Sequence, residues 1–124
     1  MGTIRSHKEL QVWQDAMEAA MSIFQITKTF PAEEKYSLVD QIRRSSRSVA
    51  ANISEAWRKR RYEAAFISKL NDSETEASET QTWIELACRC AYIDKQIAEQ
   101  LDQKYEHILV RLVSMARDSS NWTL

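Results

Sequence analysis

The apolar residues between positions 8 and 29 recur at helical spacing. Leu10, Trp13, Met17, Ala20, Met21 and Phe24 fall within one broad face. Ala16, Ala19, Ile23 and Ile26 widen that face past half of the circumference. A helix this apolar needs cover from two directions, and in a small bundle the second cover is often another subunit. Phe30-Pro31 closes the element, and Glu33 and Glu34 suit the positive end of a second helix starting near residues 31–35.

In the second helix Leu38, Ile42, Val49, Ile53 and Ala56 share one side, flanked by Val39, Ala50 and Trp57. Arg43, Arg47, Ser54 and Arg58 align on another side, with Arg44 close by. Helical patterning then continues without punctuation to about residue 91. One helix over residues 36–91 would be about 84 Å long at about 1.5 Å per residue, too long for a compact domain. The chain must fold back, and the best place is Arg58-Lys59-Arg60-Arg61, where no large apolar residue separates Trp57 from Tyr62. Beyond it, Phe66, Leu70, Ser73, Ala77, Ile84, Cys88 and Ala91 form the stripe of a third helix. Asp72, Glu76 and Glu79 make a separate acidic ridge that Trp83 continues. Tyr92-Ile93 connects to a fourth helix with Asp94 as its N-cap. Ile97, Leu101, Tyr105, Ile108, Leu112 and Met115 lie on its apolar face. Four amphipathic segments with short connections predict an all-α, up-down-up-down four-helix bundle, a single domain over residues 1–124.

Composition supports this and removes several chemistries. Among 124 residues there is one glycine, Gly2, and one proline, Pro31, so sheet turns lack their usual residues. Phosphate-cradling glycine loops cannot be built. Cys88 and Cys90 point about 200° apart on a helix, so they cannot bridge or chelate together and read as buried thiols of a reducing compartment. No secretory signal or membrane span is apparent, so the expected location is cytoplasmic. Met-Gly-Thr-Ile-Arg-Ser fits an acylation pattern, but one short enough to arise by chance. The only histidines are His7 and His107, with Ile4 and Lys104 where a di-iron bundle would place its Glu partners. No nucleophile with an ordered base emerges. The expectation is a non-enzymatic protein with no cofactor, no metal, no membrane and no small-molecule substrate.

Charge changes the picture at one place. Residues 42–61 carry seven basic residues against one acid, a net +6 that leaves −7 for the remaining 104 residues. Such segregation is the footprint of phosphate contacts. Two alternatives stand side by side. Arg43, Arg44 and Arg47 are placed to pair with Asp72, Glu76 and Glu79, in the same or a neighbouring chain. Arg58, Lys59, Arg60 and Arg61 have only Glu55 and Glu63 near them, and so stay available to RNA or DNA. Under the competing interpretation the protein is an interaction scaffold whose arginines serve only subunit assembly. Ser45, Ser46, Ser48, Ala50, Ala51 and Ser54 allow close helix approach on more than one side.

The order His7-Lys8-Glu9-Leu10-x-Val12-Trp13, then Phe30-Pro31-x-Glu33-Glu34-Lys35-Tyr36, then Gln41-Ile42-Arg43-Arg44-Ser45, resembles a bacterial family encoded in 23S rRNA intervening sequences. Asn52-Ile53-Ser54-Glu55, Glu79-Thr80-Gln81-x-Trp83, Ala91-Tyr92-Ile93 and Trp122 extend the resemblance over residues 8–122. It implies an up-down bundle that assembles as a homopentamer, without established enzymatic activity. It also implies similarity to the accessory protein of diversity-generating retroelements, a basic pentamer that binds nucleic acid. The chain departs from the pattern at Val49-Ala50-Ala51, where the family often has Pro, and at Ala56-Trp57, where it often has Gly. Helix two is therefore expected to be straighter, and the turn after it later or less sharp.

Overall fold

The structure, a computed structural model, describes residues 4–124. Residues 1–3, including Gly2 of the acylation-like opening, lie outside the described residues. Those described form four helices and no strand: α1 (Gln11–Thr27), α2 (Leu38–Arg58), α3 (Glu63–Arg89) and α4 (Lys95–Arg117). Short 3₁₀ turns occupy His7–Glu9, Ala32–Glu34 and Ser119–Asn121. Each helix packs on the next, and α4 packs back on α1. The pairs Ser45–Thr80, Val49–Ser73 and Glu55–Lys69 show that α2 and α3 run in opposite directions.

The expected stripes of α2, α3 and α4 form most of the core, except that Cys88 and Ile97 are half-buried and Ala91, past the end of α3, is exposed. Ile42, Ile53, Phe66, Leu70, Ile108 and Leu112 are all essentially inaccessible, each contributing about 1.5–3 kcal/mol by leaving water. The middle of the α2–α3 seam is small and hydroxylated. Ser45 and Thr80 share a 2.7 Å hydrogen bond, and the Ser73 hydroxyl donates to the Val49 carbonyl at 2.8 Å. These bonds satisfy buried hydroxyls and let the two backbones approach closely. Tyr105 brings the fourth helix to this layer with its ring fully buried. Among the described residues its hydroxyl makes no well-formed hydrogen bond, and burial raises its pKa, opposed in part by the nearby Ser46 hydroxyl.

Helix α1 departs from expectation. Its core face is Val12, Ala16, Ala19, Ile23 and Thr27. Of the stripe expected to be central, Leu10 is buried and the rest flanks the core: Trp13 and Phe24 are half-buried, while Met17 and Met21 stay 40% and 52% exposed. A helix apolar over more than half its circumference offers two faces, and only tertiary packing selects between them.

The start of α2 also moves, from the expected residues 31–35 to Leu38. Pro31 leads into the turn Ala32–Glu34, and Ser37, at φ −124° and ψ −104°, breaks helical continuity. Glu34 then acts as a clasp. Its carboxylate accepts from the Leu38 amide at 3.3 Å and from the Tyr92 hydroxyl at 2.7 Å. It thus joins the start of α2 to the α3–α4 connection. The Tyr92 bond, then the Leu38 amide, holds the Glu34 carboxyl below its ordinary range. The same bond, with desolvation, pushes the Tyr92 phenol up to about 12. A depressed carboxyl pKa means that the clasp stabilises the fold above the ordinary carboxylate range and is lost as pH falls through the folded value. A raised phenol pKa means that the clasp is intact below about 10 and is lost as pH climbs toward about 12. Tyr92→Phe should lower the thermal midpoint near neutrality, and the loss should shrink at both pH extremes. A midpoint-versus-pH series on both proteins checks this.

Asp94 caps α4 as expected, accepting from the Ile97 amide at 2.8 Å. The end of α3 shows what a chain almost without glycine must do. Ala91 sits at φ 63°, and the Tyr92 and Ala91 amides return to the Ala87 and Cys88 carbonyls, both at 2.9 Å. This is the Schellman arrangement, in which glycine is preferred because a Cβ is penalised in the left-handed region. Ala91→Gly should therefore raise unfolding free energy by about 1 kcal/mol, measured by urea denaturation at fixed protein concentration. The cysteines are not both buried as expected: Cys88 is half-buried and Cys90, at the end of α3, is exposed.

Candidate nucleic-acid interface

The chain folds back where the length argument placed it. Helix α2 runs unbroken for 21 residues to Arg58, and α3 begins at Glu63. No glycine or proline makes the turn between them. Arg60 makes it. Its guanidinium lies 3.4 Å above the Trp57 ring, and its Nε donates to the Trp57 carbonyl at 2.8 Å. This covers an indole and satisfies a carbonyl at the C-terminal end of α2. The C-terminal tail completes the clasp: the Leu124 amide donates to the Arg60 carbonyl at 3.1 Å, and the Ser119 hydroxyl donates to Glu63 at 2.9 Å.

The four turn cations therefore divide. Arg58, Lys59 and Arg61 are exposed, and among the described residues no carboxylate pairs with them. The two acids flanking them in sequence are engaged elsewhere, Glu55 with Lys69 at 2.8 Å and Glu63 with Ser119. Arg60 was expected to be as available as its neighbours; half-buried on Trp57, it is a structural clamp. Burial, then the charge of Arg58, lowers its pKa.

The inner arginines do not meet the acidic ridge within the chain. Arg43 bridges to α1 instead: its Nε donates to Thr27 Oγ1 at 2.8 Å, an Nη to the Phe24 carbonyl at 3.4 Å, and its guanidinium lies 4.8 Å from the Phe24 ring. A cation there also meets the negative end of α1. Arg44 pairs with Asp40 one turn earlier at 3.5 Å, an exposed contact of small worth. Arg47 is exposed and unpaired among the described residues. With Lys35 and Tyr36, these three arginines line an open groove of about 560 Å³ along α2. Across the seam, Asp72 pairs with Lys69 at 3.5 Å. Among the described residues Glu76 meets no cation within ion-pair distance. Burial and the neighbouring Glu79 raise its pKa, opposed only in part by the charge of Arg44. The in-chain pairing of arginines and ridge is thus replaced by carbonyl, hydroxyl and aromatic partners for Arg43, and by i,i+4 and cross-helix pairs elsewhere.

A larger groove, about 790 Å³, follows the α1–α4 seam on other helices. Two of its cations are already paired, Arg111 with Asp15 at 3.3 Å and Lys104 with Glu18 at 3.6 Å. Among the described residues no group of three His, Cys, Asp or Glu could hold a metal ion, and no helix is long and apolar enough to cross a membrane.

An all-helical protein with four packed helices and an unneutralised basic turn at one end is the class that these features define. The chain belongs to the family of 23S rRNA-intervening sequence proteins, whose family model matches residues 8–114. It is similar to a crystal structure from Bacteroides thetaiotaomicron, described as a protein of unknown function from the S23 ribosomal protein family. The two share 34% identity, with a TM-score of 0.77, over 86% of this chain and 95% of that one. No curated protein matches the chain. Neither similarity points to a catalytic activity.

Proposed function

We propose that the protein is a non-enzymatic, cytoplasmic up-down-up-down bundle that assembles with copies of itself and holds nucleic-acid backbones through Arg58, Lys59 and Arg61. The observation that carries this is the state of the turn. Three cations project from the helical corner without an ion pair among the described residues, while Glu55 pairs with Lys69 and Glu63 accepts a hydrogen bond from Ser119. Unpaired arginine and lysine displace condensed counterions from phosphates without reading bases. Several copies in a ring, five on the family resemblance, turn a weak corner into a multivalent surface. Titration against single-stranded RNA, structured RNA and duplex DNA at two salt concentrations tests it. Binding that weakens steeply with salt supports the proposal; no binding at about 50 mM salt, where phosphate contacts are strong, overturns it.

The scaffold interpretation keeps support from a different face. The exposed Met17 and Met21 on α1 lie beside the arginine-lined side of α2, where Arg43 reaches Phe24. Among the described residues Arg47, Glu76 and Glu79 make no ion pair within one chain, as surfaces completed by a neighbouring subunit would.

A further inference from the structure

The turn that carries the free cations also carries an aromatic ring without a protein partner. Tyr62 is 66% exposed. Its backbone is pinned on both sides, the amide donating to the Lys59 carbonyl at 3.0 Å and the carbonyl accepting from the Phe66 amide at 2.9 Å. The ring therefore projects from a fixed point at the start of α3. The other tyrosines are placed differently: Tyr36, 86% exposed, lies by the groove of Arg43, Arg44 and Arg47 and not at the turn. Lys35 lies over Tyr36 at 5.3 Å, Tyr92 donates to Glu34, and the Tyr105 ring is buried. Among the described residues no ring or cation stacks on Tyr62, and its hydroxyl makes no hydrogen bond.

Resting on the phosphate-binding proposal above, we infer that Tyr62 is a base-stacking platform, and that the preferred ligand of the turn is single-stranded nucleic acid with unstacked bases. Arg58, Lys59 and Arg61 lie within four residues of the ring, so a strand whose phosphates they neutralise passes beside it. A duplex keeps its bases paired and stacked inside, and offers the cations phosphates but the ring nothing. A single strand offers both. Aromatic rings beside a cationic track are the recurring means of holding such strands without sequence preference, since every base has a π-face. Arg60 contributes by position: fixed on Trp57, it holds the turn that presents the ring.

The test is an anisotropy titration of the full chain with four labelled probes: unstructured single-stranded DNA, single-stranded RNA, a duplex, and an abasic single strand of equal charge. Parent protein, Tyr62→Ala and Tyr62→Phe are compared. The parent should favour both base-bearing strands over the abasic strand by about fivefold or more. Tyr62→Ala should abolish that margin without changing the salt slope, and Tyr62→Phe should keep it. Circular dichroism confirms that both variants remain helical. If the parent binds duplex, abasic and base-bearing strands equally, or if Tyr62→Ala keeps the margin, stacking is overturned while phosphate binding stands. A margin confined to one sugar would also overturn it, because stacking does not need the 2′-hydroxyl. No binding of any probe by the parent overturns both.

Discussion

Reversing Arg58 and Arg61 to Glu should abolish most nucleic-acid binding while leaving the fold untouched. Each phosphate contact made in 50 mM salt contributes roughly tenfold through counterion release, so two lost contacts cost about 100-fold in affinity. The salt dependence should flatten by about 1.4 in logarithmic slope on a single strand and by about 1.8 on a duplex. The loss should be similar for every sequence, because phosphate contacts position a ligand without reading it. Helix content and oligomer size should not change, since both side chains are exposed at the end of the bundle and form no ion pair among the described residues. Arg60→Glu should behave differently. Removing the clamp on Trp57 disturbs the turn itself, so its effect should appear in thermal stability as well as in binding. Equal affinities for parent and double variant would remove the basic turn from the proposed function.

If the protein assembles as proposed, Met17→Glu with Met21→Glu should convert it to 14.5 kDa monomers. In one chain these side chains are 40% and 52% exposed, on a face with the half-buried Trp13 and Phe24 beside it. If a neighbouring subunit covers them, each methionine gains about 1.5–3 kcal/mol on burial. Losing two per interface lowers the association constant by about 10²- to 10⁴-fold, before adding the cost of a desolvated carboxylate. Light scattering at micromolar concentration reads the result directly. A parent that is itself monomeric there contradicts the assembly proposal, whereas an oligomer that survives both charges moves the interface to another face.

Much of the fold was legible in the residues alone. Helical periodicity marks the buried faces of α2, α3 and α4, since leaving water dominates the free energy of such stripes. Asp94 capped α4 as its side chain predicts. Even the unmarked turn after Arg58 followed from length, because an unbroken helix could not bury its own face. The candidate site was half legible. Charge segregation pointed to residues 58–61, and Glu55 and Glu63 were recognisable as the only nearby acids. Tyr62 was visible as a residue after the cluster, but its exposure was not.

What remained belonged to contacts between groups distant in sequence or carrying no charge. Which face of α1 enters the core was undecided, because both are apolar enough and only the shape left by the other three helices selects Val12, Ala16, Ala19 and Ile23. Charge pattern matched Arg43 with a carboxylate; the fold gave it Thr27, the Phe24 carbonyl and a phenyl ring. Charge pattern left Arg60 available to a ligand; the fold settles it on an indole and anchors its carbonyl with the tail. Local sequence determined where helices form and which of their faces avoid water, since those depend on periodicity and backbone chemistry along the chain. Tertiary structure decided which cations remain free, since carbonyl oxygens and aromatic faces accept a guanidinium as well as a carboxylate does, yet leave no charge in the sequence to announce it.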